Sequence, residues 1–323
     1  MQPYLLLQTI ILMENNSNKE GKSKGKLLKL MLKIVITALC FWYISKKIDF
    51  SDVWIALLKA NWLLLGIAVL LYALSKLLSA FRLNIYFRNI SLFISEWDNI
   101  KLYWLGMFYN LFLPGAIGGD AYKVIILNKK FKASYKKTTS AVLLDRFSGL
   151  LALGVILCAY AIAVINETLV DAVMVSGAFV GVGIFYLAIR SFFKDFIAGF
   201  WPTFFWGLAV QLCQVICIYF IMASLGVPLQ HEWILIFLLA SIVSVFPVSL
   251  GGGLGTRELV FAEGARFFHL DPHIGVIISL LFYLCNVLSC VWGAYYIFND
   301  PLKNVDVPAG VADLQPEVSE KGF

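Results

Sequence analysis

Apolar stretches alternate with short polar clusters along the whole chain, and they fall into two length classes. Residues 27–45, 61–81, 139–165, 168–190, 200–225 and 274–298 are each close to or above the length a helix needs to cross a bilayer, about 20 residues for about 30 Å of hydrocarbon. Two others, 100–113 and 233–246, run for about half to two-thirds of that length and then stop. The first meets Pro114, Gly115, Gly118 and Gly119 and resumes over 121–127; the second meets Pro247, Gly251, Gly252, Gly253 and Gly255 and resumes over 259–268. No piece of either broken stretch can span alone, so the pattern predicts six spanning helices and two re-entrant pairs of half-helices.

Charge then orients the predicted elements. The segment 15–26 is polar and lysine-rich, a flexible basic tail that the positive-inside rule places in the cytoplasm. Span 27–45 runs outward, 49–60 reads as an amphipathic connector with Trp54 at the interface, and 61–81 returns to Arg82 and Arg88. Lys101 precedes the first broken stretch, and Lys123, Lys129, Lys130, Lys132, Lys136 and Lys137 follow its break, so both of its ends belong inside. The next three spans cross outward, inward to Arg190 and Lys194, and outward again. The second broken stretch therefore has both ends outside, and 274–298 returns inward. This order predicts cytoplasmic N- and C-termini in a plasma (inner) membrane, with 1–26 and 299–323 as flexible tails around a membrane domain, 27–298.

The list of elements is duplicated. Residues 27–165 read span, span, broken segment, span, and 168–298 read the same. Both breaks also share Pro, three residues and Gly-Gly: Pro114 with Gly118 and Gly119, Pro247 with Gly251 and Gly252. Each is followed by a cation and a nearby carboxylate, Lys123 with Asp120 and Arg257 with Glu258. The first unit begins inside and the second outside, so the expected fold is an all-α polytopic bundle of two inverted repeats. That is the plan of secondary transporters, whose substrate site forms where two interrupted helices meet. A half-helix ending within the membrane exposes backbone N–H groups, a Gly-Gly pair lets a ligand approach, and the helix N-terminus favours phosphate. The alternative reading of the same glycines is close helix packing.

Composition narrows the function classes. The chain is 60% hydrophobic and 14% charged, which leaves no room for a sizeable soluble catalytic domain. The net charge of +6 is concentrated in short segments and reads as topology rather than as a nucleic-acid footprint. All six cysteines lie in apolar segments without metal-ligand spacing. His269, Asp271 and His273 are better read as an interfacial loop than as a metal site. The apolar start, 4–13, is too short to span and lacks the basic flank of a signal peptide. No cofactor loop is legible, since Gly118–Asp120 lacks the strand-turn-helix context of a nucleotide site.

Two charges stand out inside a span. Asp145 and Arg146 lie about two turns into 139–165, where an unpaired charge costs about 2.5–3.5 kcal/mol at the bilayer centre. They predict a headgroup contact, Arg146 to phosphate with Asp145 orienting it or binding a cationic headgroup; the alternative is that Arg146 snorkels and Asp145 pairs with Lys136 or Lys137. Glu263 and Arg266 are explained by i, i+3 pairing on a helix, and Tyr283 and Asn286 read as interhelical hydrogen-bonders.

The stretches NLFLPGAIGGDAYK (110–123), SAVLLDRFSGLLAL (140–153) and FPVSLGGGLGTRE (246–258) together resemble the transmembrane region of the lysylphosphatidylglycerol synthase and flippase family, the UPF0104-type flippase-like membrane domain, over nearly all of 27–298. The resemblance implies a lipid flippase-like domain associated with aminoacylated phospholipids in some members and with glycolipids or polyprenyl-linked sugars in others. By position it marks Pro114, Gly118, Gly119, Asp120, Asp145, Arg146, Gly251, Gly252, Gly255, Arg257 and Glu258. Two departures limit it. Only 299–323 follows the last span, so the soluble aminoacyl-transferase domain of full-length synthases is not expected here; and Tyr283 stands near a position where the family has an Arg, so a shared lipid specificity is not implied. The leading expectation is a lipid translocator for an anionic or zwitterionic phospholipid or lipid-linked sugar. A non-transporting membrane partner of a separate glycosyltransferase or lipid-modifying enzyme comes second, and a membrane enzyme using Asp120, Asp145 or Glu258 comes last. No metal, cofactor or nucleic-acid partner is expected. The lipid, the direction, the coupling ion and the oligomeric state are not legible.

Overall fold

A computed structural model describes Ile55 and residues 58–112, 118–245 and 255–303. Residues 51–323 form one compact unit. Every regular element among the described residues is helical: α1 (Trp62–Asn89), α2 (Glu96–Phe112), α3 (Gly118–Phe131), α4 (Tyr135–Ile165), α5 (Thr168–Phe192), α6 (Phe200–Ser224), α7 (His231–Val243), α8 (Thr256–Phe267), α9 (Pro272–Val291) and the short α10 (Tyr295–Phe298). The expected span 27–45, the tail 1–26, and Pro114, Pro247, Gly251 and Gly252 lie outside the described residues.

Five helical stretches are long and apolar enough to cross a membrane: Trp62–Asn89, Tyr135–Ile165, Thr168–Phe192, Lys194–Ser224 and Pro272–Phe298. The protein is a multi-pass membrane protein, and these are the five spans the sequence places within the described residues. At 1.5 Å per residue the remaining helices α2, α3, α7 and α8 reach only about 18–26 Å, too short to cross. Short as they are, they are not peripheral. α7 is hydrophobic all round and seven of its residues, Trp233–Leu238 and Ala240, are buried, as a helix enclosed by other helices should be. By contrast α5 buries only Ile189 and lies on the outside of the bundle, its apolar side chains suited to lipid.

Local chemistry sets the helix ends. Asn61 caps α1, its Oδ1 accepting from the Leu63 N–H at 3.1 Å, and its own N–H donates to Ser224 O at 2.8 Å, tying the start of α1 to the end of α6. Asn166 ends α4 in the left-handed region, φ 51°, which Asn tolerates. Asp271 caps α9 ahead of Pro272 at the first helical position. Several boundaries differ from expectation. α4 begins at Tyr135 rather than at 139, a 3-10 turn, Lys194–Gly199, precedes α6, and the last span changes to 3-10 winding over Trp292–Ala294. Gly293 in that turn lies close against α2, where a Cβ would come 2.3 Å from Trp104 O. Nor does the chain leave the bundle at Phe298, because Leu302 is fully buried in the cluster that holds Phe87, Leu102 and Phe131.

The packing follows the duplicated order. α1 and α6, the second spans of the two units, form the most extensive helix pair; α2 packs on α3 and α7 on α8; α3 packs on α4 and α8 on α9. The units also interlock reciprocally, α7 against α4 and α2 against α9 with its 3-10 extension.

Candidate functional site

A cavity of about 320 Å³ lies where α1, α2, α4, α6, α7, α8 and α9 converge, at the lower end of the range of small-molecule sites. Both short helix pairs contribute to its wall: Tyr103, Met107 and Asn110 from α2, Ser241 from α7 and Arg257 from α8. Three cations line it, Lys76, Arg146 and Arg257, together with the amides of Asn110, Gln211, Gln214 and Asn286. Among the described residues no carboxylate does. Apolar side chains, including Leu150, Leu153 and Phe282, complete the wall.

The cations are held in different ways. Arg146 on α4 is hydrogen-bonded through Nε to Asp120 Oδ2 on α3. Asp120 also takes Lys123 Nζ at 3.1 Å, and the Asn110 amide donates to it at 3.5 Å. Burial pushes the Asp120 carboxyl up, but the charges of Lys123 and Arg146 and their hydrogen bonds outweigh it and hold the group below its ordinary value. Lys123 itself lies behind the cavity wall, its ammonium 4.3 Å from the centre of the Tyr103 ring. Arg257 has no carboxylate partner among the described residues. Its guanidinium carbon lies 4.7 Å from the Phe282 ring centre and 5.9 Å from that of Phe237, its Nη2 reaches Ser241 Oγ only at 3.5 Å, and its buried Nε is unpartnered. Lys76, midway along α1, rests 4.6 Å over the Tyr72 ring.

The expected residues thus separate into three groups. Arg146 and Arg257 face the cavity, and Asp120 positions Arg146. Asp145 does not reach it: the carboxylate is bonded at 2.7 Å to Arg82 Nε, both side chains almost fully buried. Pairing with Lys136 or Lys137 is overturned, since Asp145 takes Arg82 and Lys137 pairs with Asp195 at 2.8 Å. Helix periodicity puts Asp145 and Arg146 on different faces, one toward α1 and one toward α3. Glycines make room for Arg82, since a Cβ on Gly149 would lie 3.0 Å from its Nη1. Glu258 also turns away. Its Oε2 accepts from the Gly255 N–H at 2.6 Å and its Oε1 from Ser279 Oγ at 2.9 Å, so it closes the first turn of α8 and ties α8 to α9. Gly255, at φ +88°, supplies the backbone turn before α8 that glycine adopts readily. Gly119 is a packing residue, because a Cβ there would sit 1.8 Å from Gly106 O; its N–H donates to Asn110 Oδ1 at 2.8 Å. Gly118 opens α3 one residue earlier.

Sequence reasoning missed Lys76, Gln211 and Gln214. Their signal was present, a lone lysine in mid-span and two amides three residues apart in an apolar helix. Asn286 faces the cavity and accepts from Cys290 Sγ at 3.2 Å within its own helix, rather than bonding across helices. Glu263 and Arg266 are joined as an exposed i, i+3 pair. Among the described residues no three His, Cys, Asp or Glu side chains group as a metal site.

Comparison with known proteins places this architecture. The family model described as the lysylphosphatidylglycerol synthase TM region matches residues 30–293. The chain belongs to that family. A UPF0104 membrane protein of Pyrococcus horikoshii is 33% identical over 92 residues, which cover 28% of this chain and 28% of that relative. The matched stretch therefore spans well under two-thirds of the relative's length. No solved structure matches the chain. Membership in a family of membrane regions agrees with the five apolar spans.

Proposed function

We propose that this chain is a lipid translocator of the plasma membrane, in which a phospholipid or lipid-linked sugar places its headgroup in the cavity between the two short helix pairs. One observation carries the reading: a cation-lined cavity is walled jointly by four spanning helices and by helices too short to span, inside a bundle whose exterior is apolar. A cavity with three cations in such a setting is costly unless water or an anion occupies it, and a phosphate-bearing headgroup supplies that anion. The duplicated helix order and the reciprocal contacts, α7 on α4 and α2 on α9, support two units of inverted topology. Movement of one unit against the other would then open the site to either face in turn. In this reading both termini are cytoplasmic and the chain has no catalytic role of its own.

Reconstitution tests it. In vesicles carrying acyl-labelled phospholipids, the wild-type chain should make inner-leaflet label accessible at the outer face. Arg257→Gln or Arg146→Gln should slow this by about tenfold or more, as expected for removing one partner of a desolvated charge contact, while the purified variants stay monodisperse. Unchanged transport in both variants would overturn the assignment of the cavity as the headgroup site.

A further inference from the structure

The charge inventory of the cavity goes further than its lipid-facing setting. Five cations lie on or directly behind its walls: Lys76, Arg82, Lys123, Arg146 and Arg257. Three carboxylates accompany them: Asp120, Asp145 and Glu258. Asp145 is committed to Arg82, and Asp120 is shared by Lys123 and Arg146. The carboxylate of Glu258 is directed to the Gly255 N–H and Ser279. Among the described residues two positive charges are left over, and the sequence over 113–117 and 246–254 contains no charged residue.

We infer that the cavity selects a headgroup bearing two negative charges and no cation, a terminal phosphoryl group as in a phosphomonoester or diphosphate lipid, and discriminates against zwitterionic and cationic headgroups. The inference rests on the reading of this cavity as a headgroup site and adds the chemistry of its ligand. Two features carry it. First, the wall holds donors suited to phosphate oxygens: the guanidinium of Arg257, the ammonium of Lys76, and the amides of Gln211, Gln214 and Asn286. Secondly, an ammonium or trimethylammonium group needs a carboxylate or an open aromatic face. The carboxylates here are turned away or paired, and the Tyr72 and Phe282 rings already carry Lys76 and Arg257. A cationic headgroup in this space would meet three cations and no anion, and like charges brought together across a desolvated site are strongly disfavoured. A phosphomonoester, with its second ionisation near pH 6, is close to doubly charged at neutral pH.

The same chemistry reaches the site from two sources, a lipid or a free phosphate ion, and the test separates them. The full chain is reconstituted in phosphatidylcholine vesicles at neutral pH, with acyl-labelled phosphatidic acid, phosphatidylglycerol, phosphatidylethanolamine or lysylphosphatidylglycerol as the reporter. In parallel, the purified chain is titrated with short-chain phosphatidic acid and with inorganic phosphate, and its unfolding temperature is followed. Transport should be fastest for phosphatidic acid, slower for phosphatidylglycerol, and about tenfold or more slower for the other two, the scale of a mispaired charge in a desolvated site. Short-chain phosphatidic acid should raise the unfolding temperature more than inorganic phosphate at the same concentration. Equal or faster transport of lysylphosphatidylglycerol would overturn the charge selectivity and leave the translocator reading standing. Stabilisation by inorganic phosphate alone, with no lipid moved, would instead overturn the lipid as its source and the translocator reading with it. Asn286→Asp, which adds a carboxylate to the wall, gives the converse: the preference for phosphatidic acid over phosphatidylethanolamine should shrink several-fold. An unchanged preference in a folded Asn286→Asp variant would count against the inference.

Discussion

The two short helix pairs share a sequence pattern but use it differently. In α2–α3 the helices meet backbone to backbone at Gly106 and Gly119, and the carboxylate Asp120 is bracketed by Lys123 and Arg146. In α7–α8 the helices meet through the Ile236 side chain against Gly264, and the carboxylate Glu258 serves the turn of its own helix, leaving Arg257 on aromatic faces. A cation with its own carboxylate is already satisfied in low dielectric. One held on phenyl rings gains only about 0.5–2 kcal/mol from them and still has hydrogen-bonding capacity to offer. The first pair is therefore the anchored side of the cavity and the second the side with an unmet demand for an anion.

The largest effect expected from perturbing this contrast lies at Arg82 and Asp145. That pair joins α1 to α4 behind the cavity wall, and both side chains are almost fully buried. Asp145→Ala or Arg82→Ala should cost about 3–5 kcal/mol, the usual result of stranding one buried charge. The double variant Arg82→Met with Asp145→Leu should recover most of the loss. Thermal unfolding in detergent reads both, and a double variant no more stable than the singles would show that the pair does more than cancel charge. Arg257→Met, by contrast, should cost little stability, because no carboxylate is left behind in the described structure.

Next in size is the difference in how the helices touch. Gly119→Ala drives a Cβ into Gly106 O, a backbone atom that cannot rotate away, and should cost about 1–3 kcal/mol as an overpacked core contact. Gly264→Ala meets Ile236 Cγ1 at 2.8 Å. The obstacle there is a side chain that can shift, so its loss should be the smaller of the two. Equal unfolding temperatures for the two variants would remove the distinction between a backbone contact and a side-chain contact.

How far the sequence foretold this arrangement depends on which physical property decides each part. Length and hydropathy decide spans, and the five described spans, together with the two interrupted segments, were legible because crossing hydrocarbon is a one-dimensional requirement. Partner choice is three-dimensional. Asp145 and Arg146 are adjacent in sequence and looked like one unit, yet a rotation of about 100° per residue sends them to different neighbours. Glu258 follows Arg257 directly and looked like its companion, while the turn at Gly255 draws it back onto a backbone N–H. Lys76 carries no partner signal in the sequence, where a lysine in an apolar helix is compatible with snorkelling to the membrane edge; its position at the middle of a 28-residue helix puts both edges out of easy reach. Gly119 shows the opposite case: close packing, the plainer explanation of a Gly-Gly pair, is the contact it makes.

The smallest expected effect is also the sharpest test of the contrast between the pairs. If Glu258 is a helix-capping group rather than a headgroup ligand, what matters is its acceptor oxygen and not its charge. Glu258→Gln keeps an oxygen for either the Gly255 N–H or Ser279 Oγ and should stay within about 0.5 kcal/mol of wild type in stability, whereas Glu258→Ala loses both contacts and should cost about 1 kcal/mol, the ordinary value of a lost helix cap. Neither change removes a group from the cavity wall, so transport by Glu258→Gln should be retained, and the extra positive balance near Arg257 should favour anionic lipid slightly. Asp120→Asn must behave differently although it too exchanges a carboxylate for an amide, because Arg146 and Lys123 both lose an ionic partner and Arg146 loses the contact that orients it toward the cavity. Loss of transport in Glu258→Gln as deep as in Asp120→Asn, with both proteins folded, would mean that the two carboxylates have equivalent roles and that the two helix pairs work as one symmetrical clamp.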